Sequence, residues 1–264
     1  MKFIDLNCDM GEVPAAIAAQ ESLMRWITSV NVACGGHAGD EHTMTSTVEQ
    51  ALRWKRALGA HPGYPDRVHF GRKEMDLSSK RVRDFVFEQV RALADIAHLS
   101  GATLTHVKPH GALYNQAVHR APLAEAIAAG VARWNRDVVL VGLAGSPMLE
   151  VFRAAGFAVA AEAFADRRYE ANGTLRSREF DDALIGDAAH AAEQALSIVQ
   201  RGTVIARGGF EVAVHADTIC IHGDTPGAVE IAAAVSRTLR DADITLRSLA
   251  AQRPISVDLI SKDF

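Results

Sequence analysis

The sequence predicts an α/β fold, a distorted parallel β/α barrel of about seven strands. Short apolar runs alternate with amphipathic stretches along the whole chain, and nearly every run ends in small, charged and histidine residues. The length of 264 residues is close to that of one such barrel. In barrels of this kind the carboxyl ends of the strands meet at one face, which holds the active site. We therefore predict one barrel domain over residues 1–264, and an enzyme.

Strands are predicted wherever an apolar run precedes a polar motif. An open doubly wound sheet would show the same alternation, but it would concentrate function at a single switch point. Here the polar ends are spread over nearly all the runs, which favours a closed barrel. Beyond the first three runs, near residues 3–4, 30–32 and 58, the predicted strands are 103–107, 137–142, 157–162, 203–206 and 217–221.

Helices are predicted between the strands, where apolar residues recur at spacings of three and four. Asp40 is well placed to cap the first of them. The stretch 163–183, rich in Gly, Asp and Arg, is the longest irregular region and a candidate active-site loop. The predicted helices span 41–57, 80–99, 119–134, 146–155, 186–200 and 226–240.

Composition excludes several classes of protein. A net charge of -4 and a pI near 6.3 argue against a nucleic-acid partner. No window approaches the roughly 20 apolar residues of a membrane span, and the N-terminus does not resemble a signal segment. The three cysteines form no CxxC pair, so neither a disulfide framework nor a structural zinc site is supported. We expect a cytoplasmic protein.

The first two strand ends carry candidate metal ligands. Asn7 and Asp9 follow the first apolar run, where Asp9 could bind a metal, act as a base or orient a histidine. His37 and His42 form an H-x4-H pair at the start of a helix. Together with Asp9 they could form a metal site of two histidines and one carboxylate. Alternatively, His42 is merely an exposed helix residue.

The next two strand ends carry candidate acid–base groups. His61 lies between glycines and prolines that leave room for a ligand, and Arg72 downstream could bind an anion. Lys108 ends an apolar run and is costly to bury unpaired, so it faces a carboxylate, a phosphate or a substrate oxygen. A Lys–carboxylate ion pair that locks the barrel is the structural alternative. His110 can act as acid or base, and Asn115 could hydrogen-bond a polar substrate.

The last strand ends supply candidate substrate ligands: Glu162, Arg167 and His222. Asp224 resembles a helix cap instead. We interpret the cysteines as small buried residues rather than nucleophiles. The chain has neither a GxxxxGK[ST] phosphate loop nor a strand–GxGxxG–helix unit, and it has no GxSxG elbow, so no familiar nucleotide cradle or serine nucleophile is indicated.

Taken together, these motifs resemble the LamB/YcsF family, whose members act as the A subunit of bacterial 5-oxoprolinase. Departures from the family pattern are Gly36 in place of a larger aromatic residue, a shorter loop after Glu12, and Lys73 where an arginine is common. The matching segments are 5–12, 31–34, 36–40, 59–66, 70–72, 107–115, 164–167 with Tyr169, and 220–226.

The resemblance implies a seven-stranded barrel akin to the carbohydrate-deacetylase and glycoside-hydrolase barrels. It implies ATP-dependent hydrolysis of 5-oxo-L-proline to L-glutamate in complex with subunits B and C. Because the chain has no phosphate loop, we expect ATP to be handled mainly by those partners. Lys108 and nearby arginines would stabilise the charges of an activated lactam. Asp9, His61 or His110 would activate water or protonate the leaving nitrogen.

Two other functions fit the residues. One is a metal-dependent amidase or deacetylase that acts alone through Asp9, His37 and His42 and loses activity to chelators. The other is a non-catalytic scaffold of a hydrolase complex, for which substitutions at the strand ends would leave turnover intact. The density of polar groups at the strand ends argues against the scaffold.

Overall fold

The computed structural model of the chain describes residues 2–13 and 17–252. Its strands are β1 (Lys2–Met10), β2 (Ser29–Ala33), β3 (Ala57–His61), β4 (Leu104–Val107), β5 (Val139–Leu143), β6 (Ala158–Phe164), β7 (Thr203–Ile205), β8 (Glu211–Ala213), β9 (Thr218–His222) and β10 (Ile244–Leu246). Its helices are α1 (Ile17–Met24), α2 (Glu41–Arg53), α3 (Ser79–Leu99), α4 (Gly111–Ala117), α5 (Ala121–Ala132), α6 (Pro147–Ala154), α7 (Ala188–Arg201), α8 (Ala228–Asp241) and α9 (Leu249–Gln252).

Parallel pairing closes a barrel of seven strands. The order runs from β1 through β6 in sequence and then to β9. β9 pairs with β6 on one side and with β1 on the other. The prediction of a closed, seven-stranded β/α barrel is therefore confirmed, and the open doubly wound sheet is not formed.

Two short strands differ from the prediction. The run 203–206 was expected to be a barrel strand, but β7 pairs antiparallel with β8 in a separate hairpin. Gly208 and Gly209, both with positive φ, make the turn that returns the chain. β10 was not predicted; it extends the sheet beside the first half of β1.

Helices form in all the predicted regions, but several begin or end at residues other than those predicted. The Asp40 side chain accepts a hydrogen bond from the Thr43 amide at 2.8 Å, so the predicted cap of α2 is confirmed. The predicted helix 119–134 starts later, as α5, with a proline in its first turn, and the unpredicted α4 precedes it. Among the described residues, no helix combines the length and apolar character that crossing a bilayer requires.

The interior of the barrel is polar along its axis. Side chains of successive strand residues point to opposite faces, and β1 separates its residues accordingly. Ile4 and Leu6 belong to the hydrophobic core, whereas Asp5, Asn7 and Asp9 hydrogen-bond to side chains of other strands inside the barrel. The polar axis leads from the middle of the barrel to its carboxyl-terminal mouth.

Candidate active site

The polar axis begins at Asp5, which is fully buried. Its carboxyl group accepts hydrogen bonds from the hydroxyls of Ser29 at 2.5 Å and Thr28 at 2.6 Å, and from Thr218. Burial raises the pKa of Asp5 to about 6, although these hydroxyls act in the opposite direction. Asp5 supports the layer above it, because Thr218 also accepts a hydrogen bond from Asn7 at 2.7 Å.

Lys108 lies at the centre of the next layer. Its Nζ atom is 2.8 Å from Asp9 Oδ1 and 2.9 Å from Glu162 Oε1. Burial alone would lower the pKa of Lys108, but the charges of Asp9 and Glu162 hold it well above its usual value. The Lys108 ammonium group is thus satisfied by protein groups. A carboxylate partner for Lys108 was expected under both interpretations, and the ion pair holds Asp9 in place.

Amide side chains connect this layer across the strands. The Asn31 amide donates to Asn7 Oδ1 and to Asp9 Oδ1, both at 2.8 Å. His106 Nε2 donates to Asn31 Oδ1 at 2.9 Å, and burial lowers the pKa of His106 to about 3. Asn7 donates in turn to Glu162 at 3.1 Å. These side-chain hydrogen bonds fix Asp9 and Glu162 on either side of Lys108.

Three histidines and a second carboxylate lie above Asp9 at the mouth. His61 Nε2 is 3.3 Å from Asp9 Oδ2. Glu12 Oε1 is 3.0 Å from His37 Nε2 and 3.2 Å from His110 Nδ1. Burial would raise the pKa of Asp9, but the charges of His61 and Lys108 hold it well below its usual value. Asp9 is therefore ionised, beside an imidazole.

The rings are packed in fixed orientations. His37 and His110 stack in parallel, with centroids 3.5 Å apart. His61 Nδ1 donates to the carbonyl of Lys108 at 2.8 Å, and His110 Nε2 donates to the carbonyl of Phe70 at 2.9 Å. The nitrogens His61 Nε2 and His110 Nδ1 face one another at 2.9 Å. Together with Glu12, the three histidines could hold a metal ion, since their ligand atoms lie within 4.8 Å of each other.

Asp166 and His222 form a second acid–base pair. Asp166 Oδ1 accepts from His222 Nδ1 at 2.9 Å, and Oδ2 accepts from the Thr225 hydroxyl at 2.9 Å. Burial alone would raise the pKa of Asp166, but the charge and hydrogen bonds of His222 lower it to about 2. His222 also has a ligand atom within 4.8 Å of one of Asp9. Asp166 thus orients an imidazole whose ring borders the same mouth.

Arginines lie at the mouth on two loops, those that follow β3 and β6. Arg72 and Arg178 are both ion-paired with Asp224, Arg178 at 3.1 Å. Arg167 is buried and donates through Nη2 to the carbonyl of Arg176 at 2.6 Å, while its Nε atom is buried without a hydrogen-bond partner. Burial lowers the pKa of Arg167 to about 10, which still leaves it charged near neutral pH. The rim is therefore suited to an anionic ligand.

Most of the predicted site residues meet at this mouth: Asn7, Asp9, His37, His61, Lys108, His110, Glu162 and His222 lie in the network, with Arg72 and Arg167 at its rim. Asn115 lies apart on the exposed side of α4. The ligand set of Asp9, His37 and His42 is not assembled. His42 is exposed in the first turn of α2, and neither close group of donor atoms in the described part of the chain includes it.

Glu12 and Asp166 are site residues that the strand-end pattern did not predict. The position of Glu12 after the first apolar run is equally typical of a loop or capping residue, yet Glu12 is buried against His37 and His110. Asn31 and His106 were also missed. A signal for them existed, because a polar residue inside an otherwise apolar strand must find a buried partner. The cysteines are buried and free, as predicted, and burial raises the pKa of each thiol, so a nucleophilic thiolate is not favoured.

The fold and the site define a β/α-barrel protein with buried acid–base groups at the carboxyl ends of its strands, the arrangement of a barrel hydrolase. The chain belongs to the LamB/YcsF family, whose profile it matches over residues 4–254. The resemblance deduced from the motifs is confirmed.

Relatives in two other organisms match over 90% or more of both chains. The chain is 48% identical over 250 residues to the 5-oxoprolinase A subunit of Chloroflexus aggregans, covering 94% of this chain and 99% of that protein. It is 49% identical over 239 residues to the 5-oxoprolinase A subunit of Methylococcus capsulatus, covering 90% of each.

Solved structures show the same architecture. The lactam utilization protein of Thermus thermophilus matches with a TM-score of 0.86 and 42% identity, covering 94% of this chain and 99% of that one. A family 4 carbohydrate esterase of Streptomyces lividans matches with a TM-score of 0.51 at 11% identity, over 95% of this chain and 94% of that one. The second likeness concerns the fold alone and agrees with the deacetylase-like barrel that was expected.

Proposed function

We propose that this chain is the A subunit of a 5-oxoprolinase. It catalyses the hydrolytic opening of 5-oxo-L-proline to L-glutamate in a reaction that consumes ATP. The names of the relatives, which match over 90% or more of both chains, support the substrate. The structural observation that carries the proposal is the ionised Asp9 beside His61, 3.3 Å away, at the mouth of the barrel.

The reaction needs an activated substrate. A five-membered lactam is a stable amide, and its nitrogen is a poor leaving group. Transfer of a phosphoryl group to the carbonyl oxygen makes the ring carbon electrophilic. Water then adds to the ring carbon and the C–N bond breaks, which gives γ-glutamyl phosphate. A second water hydrolyses this acyl phosphate to L-glutamate and inorganic phosphate. The site must therefore remove a proton from the attacking water and supply one to the nitrogen as the ring opens.

Asp9 and the imidazoles beside it fit these two proton transfers. Asp9 is ionised and can accept the proton of water. His61, His110 and His222 border the same space and can relay a proton to the departing nitrogen. Lys108 acts by position, because its contacts with Asp9 and Glu162 hold the base in place.

The rim arginines fit the charges of the activated lactam. The substrate carboxylate and the added phosphoryl group are both anionic. Arg72 and Arg178 share a single carboxylate, that of Asp224, so their guanidinium groups keep donors for a ligand. One well-placed donor contributes about 10²–10³-fold to the rate when charge develops in the transition state.

ATP and partner subunits complete the proposal. The chain has no phosphate-loop motif, so subunits B and C would use ATP to activate the lactam and this chain would receive it. The proposed assembly is cytoplasmic, which agrees with three free cysteines.

The decisive experiment measures glutamate release from 5-oxo-L-proline and ATP by cognate subunits B and C, with and without this chain. Release is expected only from the complete mixture. Asp9→Asn should lower kcat by about 10²-fold or more, whereas His42→Asn, at an exposed position, should not change it. No release from the complete mixture would refute the proposed function. Full turnover by Asp9→Asn would favour the scaffold instead.

A further inference from the structure

Two histidines at the mouth of the barrel are each hydrogen-bonded to the backbone through one ring nitrogen. These bonds determine whether the other ring nitrogen carries a proton or a lone pair. His61 Nδ1 and His110 Nε2 each donate to a backbone carbonyl, at 2.8 and 2.9 Å. A carbonyl can only accept, so in the neutral rings the proton is on that nitrogen. His61 Nε2 and His110 Nδ1 then carry lone pairs, and they face each other at 2.9 Å. Two lone pairs at this distance repel unless a cation lies beside them.

Glu12 adds negative charge to the same centre. Its Oε1 atom is 3.0 Å from His37 Nε2, 3.2 Å from His110 Nδ1 and 4.0 Å from His61 Nε2. Within the described residues, the ion-pair partners of Glu12 are histidines only, so its buried charge lacks a permanent cation.

We propose that Glu12, His37, His61 and His110 bind one divalent transition-metal ion of the Zn²⁺ type. Their ligand atoms lie within 4.8 Å of one another, and each comes from the end of a different strand. Three imidazoles and one carboxylate are a ligand set for Zn²⁺ and its neighbours, whereas Mg²⁺ and Ca²⁺ prefer oxygen. Metal-bound histidines typically donate their other N–H to a carbonyl or carboxylate, as His61 and His110 do here.

Two glycines leave the space that the His37 side chain occupies in this arrangement. A Cβ atom added to Gly63 would lie 2.6 Å from His37 Nδ1, and one added to Gly71 would lie 2.7 Å from His37 Cβ. Only residues without a side chain allow the ring to stack on His110. His37 Nδ1 is buried without a hydrogen-bond partner, so the polar contact of this ring is the Nε2 atom that faces the centre.

A second close group of donors, Asp9, Cys220 and His222, is already neutralised. The ammonium group of Lys108 is 2.8 Å from Asp9 Oδ1 and 3.1 Å from Cys220 Sγ. A metal dication there would be repelled by this cation. The metal is therefore assigned to the upper group, which contains no lysine or arginine.

The metal site deepens the proposed function, because it occupies the same mouth and rests on that function for its use in the reaction. Asp9 is not one of the four ligands, so it stays free to act as a base. His61 and His110 are ligands when the ion is bound, and the relay of a proton to the nitrogen then falls to His222. Binding itself requires neither ATP nor partner subunits, so it can be measured on the purified chain alone.

The test is metal binding by the full-length chain. The protein is stripped with a chelator, loaded with Zn²⁺, freed of excess and analysed for metal content, and Co²⁺ serves as a spectroscopic probe of nitrogen ligation. We expect one Zn²⁺ per chain and a melting temperature higher by about 5–10 °C at one hundred times Kd. Glu12→Gln and His37→Asn should each bind at least 10-fold more weakly, and the matched control His42→Asn should bind like the native protein.

Two results would overturn the metal site. One is a native chain that retains no stoichiometric Zn²⁺, which would mean that a shared proton supplies the central charge. The other is equal affinity in Glu12→Gln, His37→Asn and the control. If the variants do not fold, the Co²⁺ spectrum of the native chain decides alone, since absence of nitrogen ligation contradicts the site. Glutamate release by the complete mixture from a chain that binds no metal would leave the proposed function standing without this site.

Discussion

Replacing Lys108 with methionine tests the charge arrangement at the centre of the barrel. The ammonium group lies 2.8 Å from Asp9 and 2.9 Å from Glu162. At an effective dielectric constant near 20, each attraction has a gross magnitude of about 6 kcal/mol. Most of this is offset by the cost of removing the three charges from water.

The net effect follows from what the substitution leaves behind. Methionine fills a similar volume but leaves two carboxylates buried without a cation. Removal of one partner of a buried ion pair destabilises a protein by about 3–5 kcal/mol. For a chain of this size, that corresponds to a melting temperature lower by about 6–20 °C.

Thermal and urea unfolding of Lys108→Met measure the effect, and Lys80→Met, at an exposed position of α3, is the matched control. The control should stay within about 0.5 kcal/mol of the native protein. Adding Asp9→Asn and Glu162→Gln to Lys108→Met should recover much of the loss, because both stranded charges are then removed. A single variant as stable as the native protein, or a triple variant no better than the single one, would refute the reasoning.

Three further predictions concern other layers of the site. The pKa of Asp5 is raised from 3.8 to about 6, so its contribution to stability is complete below pH 4 and is lost as pH rises through 6. In the native protein this loss amounts to about 3 kcal/mol of the free energy of unfolding. The stability–pH profile of Asp5→Asn should lack the loss, and an unchanged profile would contradict this. Gly59→Ala should cost about 1–3 kcal/mol in unfolding experiments, because a Cβ there overlaps the His106 ring; native stability would show that the ring can move. Asp166→Asn should lower kcat for glutamate release about 10²-fold at native melting temperature, since His222 loses its orienting carboxylate; unchanged kcat would exclude this pair from the reaction.

Much of the fold could be predicted because parallel strands and crossover helices leave separate periodic signals. The failure at 203–206 has a physical cause: three residues of β-branched character look the same in a hairpin as in a barrel. Only pairing with β8 distinguishes them, although Gly208 and Gly209 signal the turn.

The site was predicted best where polar residues follow a strand directly. Asp9, His61 and Lys108 are placed by their strands, so their convergence follows from topology. His42 failed because a spacing of five residues across a helix cap says nothing about direction, and Asp40 starts the helix so that His42 points outward. Glu12 could not be assigned, because its partners come from three other strand ends that are distant in sequence.

The polar axis of the barrel has a consequence for how the chain finds its native pairing. If β1 shifted by one residue against its neighbours, Asp5, Asn7 and Asp9 would face the apolar layer and Ile4 and Leu6 would face the axis. Each misaligned barrel would bury several polar groups without partners, at a cost of roughly 1–3 kcal/mol for each neutral group and more for each charge. The axis thus separates the native alignment from its nearest competitors by a wide energy gap, even where its ion pairs add little to net stability.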